Sequence, residues 1–179
     1  MNVTVDETLS TLRELARICR DAKEGYLLAA DREKTSEFSA LFLQLAQERS
    51  QMRSEILAKM HELGESHEEN GGGATGFLFR GWVHLRTAMS GGNSEVILEE
   101  CERGEEAAAQ SYQKALQSGL TLNVHVLIQK HHQKIVDACS KIRLLRLDMR
   151  QNPERKITFN LGRADQIDDL ARTTEGGPD

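Results

Sequence analysis

An all-α four-helix bundle in up-down-down-up order is the fold class the sequence predicts, and three observations predict it. The 179 residues are 39% hydrophobic and 28% charged with only 2 Pro, a composition that favours helices over a sandwich or a βαβ array. Apolar residues recur at steps of three and four in four long stretches. Residues 64–92 separate the second stretch from the third, and a connection of that size can cross a bundle end to end, whereas neighbours in a simple up-down bundle need only short turns. The length fits one domain able to bury a core without disulfides or a structural metal, with the bundle over 1–150 and a partly disordered tail over 151–179.

The first helix is expected over 5–32. Thr4 followed by Glu7 forms a capping box, and Leu9, Leu12, Leu15, Cys19, Ala22 and Tyr26 then recur on one face. A short break at Thr35 and Ser36, both good N-caps, precedes the second stripe of Phe38, Leu41, Leu45, Met52, Ile56, Met60 and Leu63, which stops at Gly64. So short a connection makes these two helices antiparallel. In the crossover, "GESHEENGGGATG" is polar and glycine-rich and reads as a loop. The following "FLFRGWVHLRTAMSGG" holds Phe77, Phe79, Trp82 and Leu85 and reads as a short helix laid over the bundle. Asn93 or Ser94 caps a third helix running through Leu116. "SGLT" turns into a fourth, with Val124, Leu127, Ile128, Ile135, Ala138, Ile142, Leu145 and Met149.

The stretch "LEECERGEEAAAQSY" gathers Glu99, Glu100, Glu102, Glu105 and Glu106, and inward glutamates on packed helices are what a di-iron site is made of. Such a site wants one inward Glu from each of two helices and an inward Glu-x-x-His from each of the others. Helix two offers Glu48 with Gln51 in the His position, helix four offers Gln129 with His132, and in helix one Glu14 and Asp21 fall opposite the apolar stripe. On helix three only Glu105 lies near the apolar direction, while the other four, Glu99, Glu100, Glu102 and Glu106, belong to a solvated or boundary face. The polar residue nearest the centre of helix two is Arg49, and on helix four it is His131. Counting turns brings these three to one level, so a buried polar layer of Arg49, Glu105 and His131 is expected, the guanidinium compensating the carboxylate. The alternative is a metal site of Glu48, Glu105, His131 and His132 holding iron or manganese. Arginine in the same layer already supplies the charge a metal would bring, so the reading is no cofactor and no catalytic residues. Gly104 faces inward in mid-helix at a cost of about 1 kcal/mol against Ala, which implies the close approach of something bulky such as Trp82.

Several function classes are excluded. A net charge of −5 opposes a nucleic-acid footprint, which needs clustered Lys and Arg. No apolar run approaches a membrane span, and "MNVTVDETLS" lacks the basic start and apolar core of a signal peptide. Cys19, Cys101 and Cys139 are odd in number and far apart, which suits reduced thiols in a cytoplasmic protein. There is no nucleophile elbow, phosphate loop, zinc spacing or dinucleotide fingerprint.

The segment "GWVHLRTAMSGGNSEVILEECERGEEAAAQSYQKAL" resembles the signature of an uncharacterised bacterial four-helix-bundle family, a domain of unknown function grouped with ferritin-like proteins. The resemblance spans most of residues 8–150 and is strongest in Arg80-Gly81-Trp82 and in Cys101-Glu102-Arg103-Gly104-Glu105. It implies the ferritin-like bundle and is silent on activity. Two departures stand out: Phe79 replaces a His that relatives often show before Arg-Gly-Trp, and Cys139-Ser140 replaces His-Asp. If those were ligands, this chain has lost them. The tail carries Ile157, Phe159 and Leu161 on one side of an extended stretch and then "ADQIDDLAR". An alternating apolar segment needs a surface to cover, its own or a partner's, so residues 154–171 are expected to dock on a second copy, making a homo-oligomer, with folding back on its own bundle as the alternative and a protein partner as the other use of the chain.

Overall fold

The computed structural model describes residues 4–33, 36–65 and 94–151, and all of its regular structure is helical. Four long helices make a bundle: α1 (Val5–Arg32), α2 (Ser36–Glu62), α3 (Ser94–Gln117) and α4 (Leu122–Gln151). The expected short helix after residue 76, Trp82, the caps at Thr35 and Asn93 and the tail from residue 152 lie outside the described residues.

The helix ends follow from local chemistry. The Thr4 hydroxyl accepts from the Glu7 amide at 3.2 Å while the Glu7 carboxylate accepts from the Thr4 amide at 2.9 Å, which satisfies two of the amide groups a helix start leaves unpaired. At the end of α2, Gly64 adopts φ +93°, a left-handed conformation that only glycine enters without strain. That conformation lets the Gly64 amide donate to the His61 carbonyl and the Glu65 amide to the Met60 carbonyl, each at 3.0 Å. These two bonds are the Schellman closure. Gly119, at φ +76°, turns the chain between α3 and α4.

α1 packs along α2 and α3 along α4, and the two hairpins meet more closely through α1 and α3 than through α2 and α4. Contacts fix the directions. Cys19 meets Tyr112 and Tyr26 meets Glu105, so rising numbers in α1 pair with falling numbers in α3. One end of the core joins Tyr26, Phe42, Leu98 and Ile142, and the other joins Leu12, Ile56, Tyr112 and Ile128. α1 and α4 therefore run one way and α2 and α3 the other, the up-down-down-up order. α2 ends and α3 begins at opposite ends of the bundle.

Candidate functional site

At mid-height the two apolar clusters are separated by a polar layer. Glu105 of α3 has no solvent exposure and Arg49 of α2 has 1%. Arg49 grips Glu105 with a fork, Nη2 donating to Oε2 at 2.5 Å and Nε to Oε1 at 3.3 Å. The Tyr26 hydroxyl of α1 donates to the same Oε1 at 2.6 Å, and the remaining Arg49 nitrogen, Nη1, points at the Met52 sulfur at 3.1 Å. A bidentate guanidinium–carboxylate pair with a third donor is the geometry in which a buried ion pair keeps its charge. Burial disfavours the Arg49 charge, and Glu105 and Tyr26 together more than offset this, so Arg49 is held above its usual value. Burial, reinforced by the Glu105 charge, pushes the Tyr26 hydroxyl well up, which keeps it a donor. Tyr26 also stacks on Phe42, with ring centroids 6.1 Å apart.

His131 does not join this layer. It is fully buried, and its Nε2 lies 2.9 Å from Glu55 Oε2 on α2. Arg49 and Glu55 are six positions apart, about 9 Å along a helix, so His131 sits well over a turn from Arg49. Counting across the Gly119 turn had put it closer, and Tyr26 takes the place it was expected to fill. The hydrogen bond from His131 is the main cause that holds Glu55 down at about 2. A carboxylate is an acceptor only, so Nε2 carries the hydrogen and Nδ1 has the lone pair. Nδ1 is buried and finds no partner among the described residues. Burial lowers the His131 pKa although Glu55 opposes the shift. The ring lies beside Tyr112, with centroids 6.2 Å apart, and Tyr112 hydrogen-bonds Cys19 at 3.1 Å.

The α3 glutamates are less solvated than their own helix suggests. Glu99 and Glu106 are exposed, but Glu102 is 7% exposed and Glu100 is 8%. Arg143 Nε and Arg146 Nε of α4 donate to the two Glu102 oxygens at 2.6 and 2.7 Å, and Arg143 also reaches Glu106 at 2.6 Å. The expectation of a solvated face therefore fails for Glu100 and Glu102; for Glu102 the reason is that projection of α3 alone cannot see the long side chains from α4 that lie over its edge. Burial alone would raise the Glu102 carboxyl; Arg146 and Arg143 outweigh it and hold it below the usual range. Glu100 accepts from Arg103 at 2.8 Å.

The four candidate metal ligands do not converge. Glu105 is closed off by Arg49 and Tyr26. Glu48 accepts from Gln44 at 3.1 Å and lies beside Lys141. His131 turns to Glu55, and His132 faces a shallow groove between α3 and α4 together with Gln113, Gln117 and His125. Among the described residues no three His, Cys, Asp or Glu side chains form a group that could hold a metal ion. The three cysteines are free and buried. Burial pushes Cys19 and Cys139 up to about 11 and Cys101 well up, so none is activated as a thiolate nucleophile. Gly104 is buried in α3 as expected.

Tyr26 and Glu55 were missed from sequence. Tyr26 carried a signal, since a tyrosine on an apolar stripe needs a partner for its hydroxyl; Glu55 carried none, because it sits on the edge of α2. No helix among the described residues is long and apolar enough to cross a membrane. No curated protein matches the chain. Residues 7–118, which run from the start of α1 to the end of α3, match the family described as a domain of unknown function (DUF2383), and the chain belongs to that family.

Proposed function

We propose that this chain is a non-catalytic, cytoplasmic bundle of the ferritin-like type that acts by associating with itself or with a protein partner. The observation that supports the reading is the state of Glu105, the one fully inward carboxylate of α3. Its oxygens accept three hydrogen bonds from Arg49 and Tyr26, which fills most of its acceptor sites. A cation entering there would have to displace a buried guanidinium, which leaves two like charges in a low-dielectric site. In this reading the layer specifies helix register and the outer surface does the work. The test is metal analysis of the full chain purified without a histidine tag. Substoichiometric metal is expected; stoichiometric iron or manganese would overturn the reading in favour of a reduced di-metal carboxylate protein handling iron or oxygen.

A further inference from the structure

α4 carries two stripes. The inner one, from Val124 through Ile128 and Ile135 to Leu145, fills the core. The outer one runs Leu122, Val126, Gln129, Gln133, Val136 and Ser140 in steps that alternate between four and three, the spacing of a helix seam that faces another helix; the next step falls on Arg143, which is tied to Glu102 and Glu106, and the stripe resumes at Leu147. Apart from Arg143, whose guanidinium turns to Glu102 and Glu106, none of these residues is charged in a chain that is 28% charged. Leu122 is 78% exposed, Val126 57% and Leu147 39%. Uncharged residues at seam spacing along the outside of a bundle have no use within the bundle.

The edge of this stripe tells what fits it. Lys130, Asp137, Lys141 and Asp148 follow at steps of seven, four and seven and fall within an arc of about 40° at 100° per residue. Their signs alternate, and both opposite-charge pairings, Lys130 with Asp148 and Asp137 with Lys141, are symmetric about residue 139. Laid antiparallel against itself around a two-fold axis there, the helix meets a lysine with an aspartate at every one of these positions. A parallel pairing sets the edge against Arg143, Arg146 and Arg150 instead, with no such match. Within the chain Lys130 reaches Glu55 at 3.6 Å with its side chain 58% exposed, Asp137 accepts from Gln133 at 2.8 Å, and Lys141 lies beside Glu48. Lys130 and Asp137 stay exposed, while Lys141 and Asp148 are half-buried at the rim of the stripe.

We infer that the outer face of α4 is a two-fold interface on which a second copy of this chain packs its own α4 antiparallel. Such a contact is isologous, each pairing of edge residues occurring twice. The inference rests on the proposed self-association and names its surface. Sedimentation velocity on the full chain over a range of concentrations tests it, with far-UV circular dichroism confirming the helices. A dimer is expected. Lys130→Glu reverses two symmetry-related pairs and should weaken it about tenfold, as should Asp148→Lys, and the two together should restore it to within about threefold. Leu147→Glu should dissociate the dimer, while Leu43→Glu, on exposed α2 surface, should not. A monomeric full chain overturns both the self-association and this face. A dimer indifferent to the α4 changes overturns the face alone, and losses that the charge swap does not repair overturn the antiparallel register. Lys130 is exposed and Asp148 half-buried, so with the circular dichroism showing both charge variants folded the swap stays decisive even if the leucine variant misfolds.

Discussion

Replacing Arg49 by methionine removes the counter-charge of Glu105 and leaves Tyr26 as its hydrogen-bond donor among the groups described above. Two outcomes are open to the stranded carboxylate. It can stay charged without its guanidinium, a change that costs about 3–5 kcal/mol when one partner of a buried pair is lost. Or it can take up a proton, which for a glutamate of reference pKa near 4.3 costs about 1.4 kcal/mol for each of the roughly 2.7 pH units to neutrality, or about 3.7 kcal/mol at pH 7. The smaller cost wins, so Arg49→Met should lose about 3–4 kcal/mol at pH 7, and the loss should shrink by about 1.4 kcal/mol per unit as pH is lowered toward 5. Glu105→Leu on the Arg49→Met background removes the stranded group and should recover most of the loss, less about 1–2 kcal/mol for the lost Tyr26–Glu105 hydrogen bond. Tyr26→Phe should then recover that remainder. The assay is urea unfolding followed by far-UV circular dichroism at one fixed protein concentration, because association shifts apparent stability. Additive single losses, with a coupling under about 0.5 kcal/mol, would refute the reasoning, since they would mean the two side chains do not depend on each other.

Glu102→Ala leaves Arg143 and Arg146 without their shared acceptor and should cost about 1–2 kcal/mol in the same unfolding assay, whereas Glu106→Ala, on an exposed side chain, should stay within about 0.5 kcal/mol; equal effects would return Glu102 to the solvent. His131 has its folded pKa lowered by burial, so the unfolded chain binds its proton more readily. Stability present above about pH 6.5 should therefore fall as pH drops below that value, by at most about 1.4 kcal/mol per unit, and His131→Gln should flatten this limb. Glu55, held at about 2, contributes stability that is present above its unfolded value near 4.3 and is lost as pH falls from there toward 2. Glu55→Gln should remove that lower limb and extend the histidine limb, because Glu55 opposes the lowering of the His131 pKa. All three thiols are buried with raised pKa values, so iodoacetamide at pH 8 should label them no faster than the chain opens; rapid labelling of a fully helical sample would contradict this.

The four helices were legible because each carries its own instructions: the Thr4–Glu7 box, the Gly64 stop and an apolar face at helical spacing. Arg49 and Glu105 were legible for the same reason, as the charged residues closest to the centre of otherwise apolar stripes. What depends on two helices at once was not. Glu102 lies off the apolar direction of α3, and only the arginines of α4, reaching across, bury it. His131 was correctly turned inward by its neighbours Ile128 and Ile135, but its partner depends on where α2 stands along α4. An error of one turn moves a side chain by about 5.4 Å, enough to exchange Glu105 for Glu55.

That same sensitivity gives the polar contacts their structural role. Leu, Ile and Ala stripes repeat at each turn, so an apolar seam slid by one turn still meets apolar groups and loses little. The polar ties do not repeat. Tyr26 and Arg49 both converge on Glu105, joining α1 and α2 to α3 at one height. Glu55 joins His131 across the α2–α4 seam at a second height, and Arg143 and Arg146 fix α3 to α4 through Glu102. If α3 slid by one turn, it would carry Glu105 away from Arg49 and Tyr26 and Glu102 away from its two arginines at once. Each stranded buried charge costs about 3–5 kcal/mol, so even two of them, about 6–10 kcal/mol, are comparable with the roughly 5–15 kcal/mol by which a whole domain is stable. The ties therefore need contribute nothing net to the stability of the correct register in order to exclude its neighbours.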